Sequence, residues 1–350
     1  MGVSRYLVVR SLNAFLTLAI ITLLISWLFG AVTDFYTQQY ITDYIRSIAN
    51  DPNVRRQFRG NETALREYLK AEEQRLMSLY GLDKPFIYRV FLRTWMALTF
   101  DFGKTARIRA LDGSRDVSKV ILERLPRTIL LFTTATIINI LVGVYLGLKA
   151  ALRAGSMADR TVALYALISN SVPMWWTGML MILAFSYYLD IFPSGGLTSL
   201  PPPPMPYLIV DMLWHLALPV FTVVLVSFGG WAYVVRNVVI DVIHEDFVLV
   251  ARAKGLPENI VIYRHVLRAA APPIVTMIIL SLLGSLGGAI ITETVFNYPG
   301  MGMLYWTAIE QNDLPVIIGL GYIFTFLFVL GMLLADLLYG FLDPRVKVGW

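Results

Sequence analysis

The side chains that most often carry out chemistry in proteins are scarce in this chain of 350 residues. It has no cysteine and only three histidines, His215, His244 and His265, which are scattered along the sequence. A thiolate nucleophile and a disulfide are therefore excluded, and no metal site is expected. The sequence also has no Gly-x-x-x-x-Gly-Lys-Ser/Thr loop, so we predict no nucleotide hydrolysis, no catalytic residue and no cofactor held by this chain itself.

One charged segment, residues 244–276, lies between two long apolar segments. Its pattern predicts two short helices, with Asp246 as the N-cap of the first, Gly255 as a left-handed stop and Pro257 as the first residue of the second. The first helix is expected to expose Phe247, Leu249, Val250 and Arg252. From the residues alone, the segment is either an ordinary amphipathic surface loop or a docking surface for a soluble partner.

The elements that hold this segment are predicted membrane spans. Hydrophobic residues make up 57% of the chain and charged residues only 15%, whereas about a quarter of the residues in a soluble domain are charged. Since about 20 apolar residues in a helix cross the hydrocarbon, the sequence predicts an all-α membrane protein. Six segments meet this length, at about 8–30, 127–150, 161–189, 213–235, 274–296 and 315–342.

The distribution of Lys and Arg predicts the orientation of the chain. The loops 190–212 and 297–314 contain neither residue, whereas both ends of the chain and the loops around 149–160 and 236–273 are basic. The positive-inside rule therefore predicts a multi-pass protein of the cell membrane with both termini in the cytosol. The net charge of +5 comes from the long segment between the first two spans, where acidic residues are interspersed, so no nucleic-acid binding is expected.

Polar groups in and beside the spans are the remaining candidates. Asn170 and Ser171 precede Pro173, which removes a backbone hydrogen bond and is predicted to bend the third span. These two side chains either hydrogen-bond between helices or face a translocation path at the bend. Glu293 is predicted to end the fifth span, and the Gly- and Pro-rich segment after it either forms a surface turn or turns back toward the membrane.

Six landmarks occur in the order in which they are found in permeases of ABC importers for dipeptides, oligopeptides and nickel, and the chain resembles this family over nearly its whole length. They are Gly81-Leu82-Asp83-Lys84-Pro85 with Asp101-Phe102-Gly103, Leu125-Pro126-Arg127-Thr128, Ser171-Val172-Pro173-x-Trp175, Glu245-Asp246-Phe247-Val248 with Ala251-Arg252-Ala253-Lys254-Gly255-Leu256, Glu293-Thr294-Val295-Phe296 with Pro299-Gly300-Met301-Gly302, and Asp336-Leu337-Leu338-Tyr339 with Leu342-Asp343-Pro344-Arg345. The chain departs from the family pattern at Phe100, where glycine is usual, and at Pro272, where leucine is usual.

The resemblance implies the transmembrane fold of type I ABC importers, with six spans and a helical extracytosolic insert after the first. It implies a cytosolic N-terminus and first span at 1–30, the insert at 31–122, a permease core at 123–343 and a cytosolic tail at 344–350. Residues 246–262 would be the coupling element, with contacts to an ATPase from Asp246, Phe247, Val250, Ala251, Arg252, Lys254 and Gly255. The residues of the path and its gate would be Asn170, Ser171, Pro173, Glu293, Pro299 and Gly300.

The partners implied by the resemblance are a second homologous permease, two ATP-binding subunits that hold the ATP, and an extracytosolic substrate-binding protein. The chain would then be a non-catalytic subunit of a peptide importer. Oligosaccharides are an alternative cargo, because some prokaryotic members resemble sugar importers. Secondary transport is a further alternative, although such transporters usually carry ionisable residues at the membrane midplane, and these spans have almost none.

Overall fold

The computed structural model describes the backbone of residues 3–58, 60–105 and 107–342, in which the regular structure is helical. The α-helices, in chain order, are α1 Val3–Asn50, α2 Pro52–Gln57, α3 Glu62–Leu79, α4 Phe86–Leu98, α5 Val117–Ala151, α6 Met157–Ser171, α7 Met174–Met181, α8 Tyr207–Ile243, α9 Asp246–Ala253, α10 Glu258–Ile260, α11 Leu267–Gly284, α12 Ile290–Val295, α13 Met301–Glu310 and α14 Leu314–Leu342. π-Helical turns follow α7 and join α10 to α11. The predicted tail at 344–350 lies outside the described residues.

The six predicted spans each have a counterpart among these helices. Five helical segments are long and apolar enough to cross a membrane, at Leu7–Asn50, Val117–Ala151, Tyr207–Ile243, Glu258–Gly287 and Leu314–Leu337. The sixth counterpart is the pair α6 and α7, which continues to Tyr188 and is bent by 95° at a short break. Counting the pair as one crossing gives the predicted six, and the predicted all-α membrane fold is confirmed.

Two of the predicted spans are interrupted more sharply than the sequence indicates. The third breaks at Val172, which is extended (φ −101°, ψ 125°) because a residue before proline is disfavoured in the helical region. The fifth is predicted to end at Glu293, but α11 already ends at Gly284, and Gly288 has φ +66° after a 3-10 turn. A residue with positive φ cannot continue a right-handed helix, so Glu293 lies in the separate helix α12.

The predicted insert begins as a continuation of the first span. Helix α1 does not end near residue 30 but runs on to Asn50, and Pro52 begins the next helix. Helix α3 begins after Asn61, whose side chain accepts the Ala64 N–H as an N-cap. Helix α4 packs against α1. The division into an insert and a core stays a prediction.

Helices α5 and α8 form the centre of the bundle because small residues let their backbones approach. A Cβ on Gly143 would lie 2.5 Å from Trp231 Cβ, and one on Gly147 would lie 2.5 Å from Ala232 O. Neither distance leaves room for a methyl group, so glycine is required at both positions. Three buried apolar clusters follow α5 in turn: its start packs on α13 and α14, its middle on α8 and Phe296, and its end on α8 and α9.

Phe100, where the resembled family usually has glycine, has a left-handed backbone. Its φ is +61°, a conformation that costs a residue with a Cβ about 1–2 kcal/mol. Ring contacts to α14 offset this strain, since the Phe100 ring lies 5.0 Å from that of Phe326 and 5.8 Å from that of Tyr322, both edge-on. The backbone therefore explains the usual glycine, and the ring partners explain how phenylalanine is tolerated.

Strain and packing can be separated at this position. Phe100→Ala and Phe100→Gly both lose the ring, but only alanine keeps a Cβ on the strained backbone. We therefore expect the glycine variant to be more stable than the alanine variant by about 1 kcal/mol. Thermal unfolding of both in one detergent measures the difference, and an alanine variant at least as stable as the glycine variant would contradict the expectation.

Candidate functional site

The predicted docking segment forms a surface helix with a buried side and an exposed side. In α9, Val248 and Ala251 are buried, whereas Phe247, Leu249 and Val250 are exposed. Ala251, predicted as a contact to an ATPase, therefore packs against the bundle instead. Exposed apolar side chains that are grouped on one helix typically mark an interaction site.

The ends of α9 differ from the prediction by one residue. The N-cap is Glu245, which is extended (φ −70°, ψ 144°) and whose side chain makes no capping hydrogen bond. Asp246, the predicted cap, lies in the first turn, where its charge still favours the positive end of the helix dipole. The exposed Lys254 is the C-cap, and Pro257 is the N-cap of α10 rather than its first residue.

Backbone hydrogen bonds fix the turn after α9. Gly255 has φ +73° as predicted. Its N–H donates to Arg252 O at 2.9 Å, and the Leu256 N–H donates to Ala251 O at 3.4 Å, which is the Schellman pattern of a helix end. The Arg252 guanidinium also donates to the Glu258 carboxylate at 2.7 and 3.3 Å. Arg252, predicted to contact a partner, therefore braces the turn between α9 and α10.

The buried side of α9 joins the ends of several spans. Its two buried side chains lie in one apolar cluster with residues from the end of α5, the end of α8, the π-helical turn before α11 and the first half of α11. These residues are Ala151, Val235, Val239, Val261, Val266, Ala270 and Ile274. Because close-packed side chains transmit displacement, we expect a movement of α9 to be passed to the ends of these helices.

A partly buried ion pair that the sequence analysis missed lies near the same ends of the spans. Arg236 of α8 donates to Asp159 at 2.5 Å from Nε and at 3.0 Å from Nη2. The same carboxylate accepts the Gly155 N–H at 2.8 Å, and the Asp159 N–H donates to Ser156 Oγ at 3.4 Å, a reciprocal cap at the start of α6. Asp159 therefore holds the α5–α6 loop, α6 and α8 together. The Ser-x-x-Asp spacing could have revealed the cap, but not the distant arginine.

At the opposite ends of the spans, Glu293 fastens the loop after α12 to α5. Thr128 Oγ1 donates to Glu293 Oε1 at 2.9 Å and accepts the Met301 N–H at 2.7 Å, and the Met303 N–H donates to Glu293 Oε2 at 3.1 Å. The carboxyl thus caps the first turn of α13, whose dipole favours a negative charge there. Glu293 lies beyond the fifth span and is fully buried, and burial raises the pKa of its carboxyl to about 6 despite these hydrogen bonds.

Pro299 and Gly300 lie in the loop that Glu293 fastens. A Cβ on Gly300 would overlap with the carboxyl and with the hydroxyl that binds it, so only glycine lets the loop close over the carboxyl. Pro299 O accepts hydrogen bonds from Arg124 Nη1 at 3.4 Å and Arg127 Nη1 at 3.3 Å. Glu293, Pro299 and Gly300, which were predicted together for the gate, therefore lie together in the structure. Three residues of α5 that were not predicted also bind this loop: Arg124, Arg127 and Thr128.

The residues predicted at the bend are exposed. Asn170, Ser171 and Pro173 all have exposed side chains. Ser171 Oγ donates to Leu167 O of its own helix at 2.8 Å, so that hydrogen bond does not join α6 to a neighbour. The Asn170 side chain lies beside α8, where a Cβ on Gly230 would be 3.3 Å from Asn170 Oδ1.

Ser199, Asp211 and His215 also lie together, but not as a nucleophile and its base. Ser199 Oγ donates to Asp211 Oδ1 at 2.6 Å, and its N–H donates to Asp211 Oδ2 at 2.7 Å. His215 Nδ1 donates instead to the Asp211 carbonyl oxygen at 2.9 Å. A serine nucleophile needs its hydroxyl on the base, so this cluster anchors the loop before α8 to the start of that helix.

Long apolar helices, a docked surface helix and a fastened loop at the opposite ends define a multi-pass membrane permease. Residues 139–348 match the family described as binding-protein-dependent transport system inner membrane component. The chain is 33% identical over 280 residues to the oligopeptide transport system permease protein AppB of Bacillus subtilis, which covers 79% of this chain and 86% of that protein. It is 33% identical over 276 residues to the inner membrane ABC transporter permease protein YejB of Escherichia coli O157:H7. This match covers 76% of this chain and 73% of that protein.

A solved chain of the MetNI methionine ABC transporter has a similar fold, with a TM-score of 0.50 at 17% identity over 64% of this chain and 97% of that chain. This similarity confirms the predicted transmembrane fold of type I importers. The chain belongs to the family of binding-protein-dependent transport system inner membrane components. Membership implies a multi-pass inner-membrane protein that works with ATP-binding subunits and a substrate-binding protein.

Thr128→Val keeps the shape of the side chain but removes the hydroxyl between Glu293 and the Met301 N–H. Each buried polar group left unpaired costs about 1–3 kcal/mol, so we expect a marked loss of thermal stability. Thr222→Val is the matched control, because Thr222 is equally buried but its hydroxyl only donates to Leu218 O of its own helix at 2.9 Å. Equal unfolding temperatures for the two variants would show that the hydroxyl of α5 is dispensable.

Arg236→Gln leaves the buried Asp159 carboxylate without its cation. Because the Arg236 side chain is partly exposed, we expect a loss smaller than the about 3–5 kcal/mol typical of a fully buried pair. We expect the double variant Asp159→Asn/Arg236→Gln to recover much of this loss, since it removes both charges. Thermal unfolding of the single and double variants measures the coupling. Arg46→Gln is the control, because Arg46 forms an exposed pair with Asp43 at 3.6 Å; a loss no larger than that of the control would argue against the pair.

Proposed function

We propose that this chain is the transmembrane permease subunit of an ATP-driven ABC importer and forms the pathway for di- or oligopeptides. The observation that carries the proposal is the two-sided character of α9. Its outer side exposes Phe247, Leu249 and Val250, while its inner side is packed on the ends of α5, α8 and the segment before α11. The peptide cargo is supported by the relatives that are named as peptide permeases.

The whole transporter would contain a second homologous permease, two ATP-binding subunits and an extracytosolic substrate-binding protein. Within its described residues this chain offers one coupling helix of this kind, whereas ATP-driven motors work in pairs, so a heterodimer of permeases would supply the second. ATP would be bound by the partner subunits. The chain itself would hold no cofactor and carry out no covalent chemistry.

Both termini would lie in the cytosol, together with α9. The basic residues around 149–160 and 236–273 support this orientation, because such residues are enriched in cytosolic loops. The loop fastened by Glu293 and the proline-rich loop before α8 would then face the outside, where a binding protein delivers its cargo.

Closure of the ATP-binding subunits would displace α9. The contacts would come from its outer side and its ends, where Asp246, Phe247, Val250 and Lys254 are exposed. Gly255 and Arg252 would keep the turn rigid, so the spans packed on α9 would move as rigid bodies. ATP can shift the bundle toward one orientation only if the transporter binds ATP more tightly in that orientation. The free energy of the shift equals the difference between the two binding free energies.

The translocation path would pass the bend of the third span. The bend residues are exposed, and α7 beyond them packs on the segment before the fastened loop: a Cβ on Gly178 would lie 3.0 Å from the Phe296 ring. Movement of α7 would therefore reach that loop. The path would be lined by Asn170, Ser171 and Pro173, and its outer gate formed by Glu293, Pro299 and Gly300.

Uptake and ATPase assays on the complex purified from native membranes test this proposal. With its binding protein in proteoliposomes, the wild-type complex is expected to take up a labelled peptide and to hydrolyse ATP faster when peptide is present. Val250→Asp should abolish both, because it places a charge on the apolar docking side. Leu111→Asp, an exposed apolar side chain in the loop before α5, is the matched control and should retain both.

Three results would change the proposal. If no ATPase purifies with the wild-type chain, the proposal of an ATP-driven importer is wrong, and a secondary transporter becomes the better interpretation. Stimulation by an oligosaccharide and not by peptides would keep the machine and change the cargo. Normal uptake by Val250→Asp would remove α9 as the coupling element.

A further inference from the structure

Helix α4 has two faces of opposite character. The side chains of Val90 and Thr94 are buried, and Arg89 and Arg93 lie beside them on the side of α4 that packs against α1. The other face is exposed and consists of Ile87, Tyr88, Phe91, Leu92 and Trp95. At about 100° per residue, these five side chains fall within an arc of about 140° that contains no charge.

Polar contacts join α4 to a single turn of α1. Asp34 of α1 accepts hydrogen bonds from Arg89 at 3.2 and 2.6 Å and from Arg93. Arg93 Nη1 also donates to Gly30 O at 3.3 Å, and a Cβ on Gly30 would lie 3.2 Å from the Phe86 ring. Helix α4 therefore crosses α1 close to residues 30–34.

This crossing lies at a boundary of the membrane. Residues 11–33 of α1 contain no charged side chain. At 1.5 Å per residue that stretch is about 35 Å long, enough to cross about 30 Å of hydrocarbon. Since Arg10 pairs with Asp336 at 3.2 Å at one boundary, Asp34 and its two arginines lie at the other.

We propose that the exposed face of α4 is inserted into the lipid interface at this boundary. Helix α1, on which α4 packs, also has exposed apolar side chains just below the crossing, at Leu24, Trp27 and Leu28. Trp95 and Tyr88 are of the two residue types that membrane interfaces enrich. An amphipathic helix in this zone buries its apolar face about 5–10 Å deep, which accounts for five large apolar side chains that no part of the described chain covers.

This anchoring gives α4 a function separate from coupling and cargo. It holds the middle of the 31–122 segment at the membrane surface, while α2 and α3 extend from the continuation of α1. The two arginines satisfy the Asp34 carboxylate at the boundary, so the helix is fixed to α1 on one side and to lipid on the other.

Single-site spin labelling tests the proposal, because the chain has no cysteine of its own. The full chain in its purified complex is reconstituted in lipid bilayers and labelled in Ile87→Cys, Phe91→Cys and Trp95→Cys. Electron paramagnetic resonance measures the collision rates of each label with oxygen, which concentrates in lipid, and with a water-soluble nickel chelate. Leu16→Cys in the middle of the α1 span is the lipid control, and Leu111→Cys in the loop before α5 is the water control.

The oxygen-to-nickel ratio at the three α4 positions is expected to exceed that at Leu111 and to fall below that at Leu16, because the helix lies shallower than the centre of the span. A ratio equal to that at Leu111 would place the face in water and overturn the proposal. Low collision rates with both reagents would place it against another protein chain, which would overturn it as well. The measurement needs no transport activity, so its outcome is independent of the proposed function.

Discussion

Lipid offers the backbone no hydrogen-bond partner, and this constraint decides where the chain can interrupt its spans. The break at Gly288 is the clearest case. It places α12 and α13 on the start of α5, where the Thr128 hydroxyl and the Glu293 carboxyl accept the Met301 and Met303 N–H groups. Protein side chains thus supply acceptors for N–H groups in the first turn of α13, which have no partner within their own helix. The closed loop follows from this requirement, because a looser arrangement would leave buried N–H groups unpaired.

The two ends of the bundle are held by different contacts, and helix α5 joins them. Helix α5 carries the hydroxyl that binds Glu293 near its start and contributes Ala151 to the cluster under α9 at its end. Its 35 residues span about 50 Å. A displacement of α9 would therefore reach the loop fastened by Glu293 through rigid movement of α5. The breaks at Val172 and Gly288 interrupt the helices, so the bundle can bend at these two points.

Much of this architecture can be read from local sequence. Apolar length predicts the spans, and the helix-stop pattern predicts the left-handed turn at Gly255, because both depend only on neighbouring residues. Contacts between distant residues cannot be read in this way: Thr128 and Glu293 are separated by 165 positions, and Asp159 and Arg236 by 77. The side of α9 that faces the bundle is likewise fixed by packing, which is why a site list drawn from the sequence includes the buried Ala251.

Packing at the ends of α5 and α8 also decides how the bent pair crosses the membrane. If α6 and α7 turned back within the membrane, α8 would run in the opposite direction. The last residues of α8 would then emerge on the side opposite to the end of α5. Instead, Val235 and Val239 of α8 share an apolar cluster with Ala151 of α5. Arg236 likewise binds Asp159 at the start of α6. The ends of α5 and α8 therefore lie on the same side, so α6 and α7 together make one crossing despite the 95° bend.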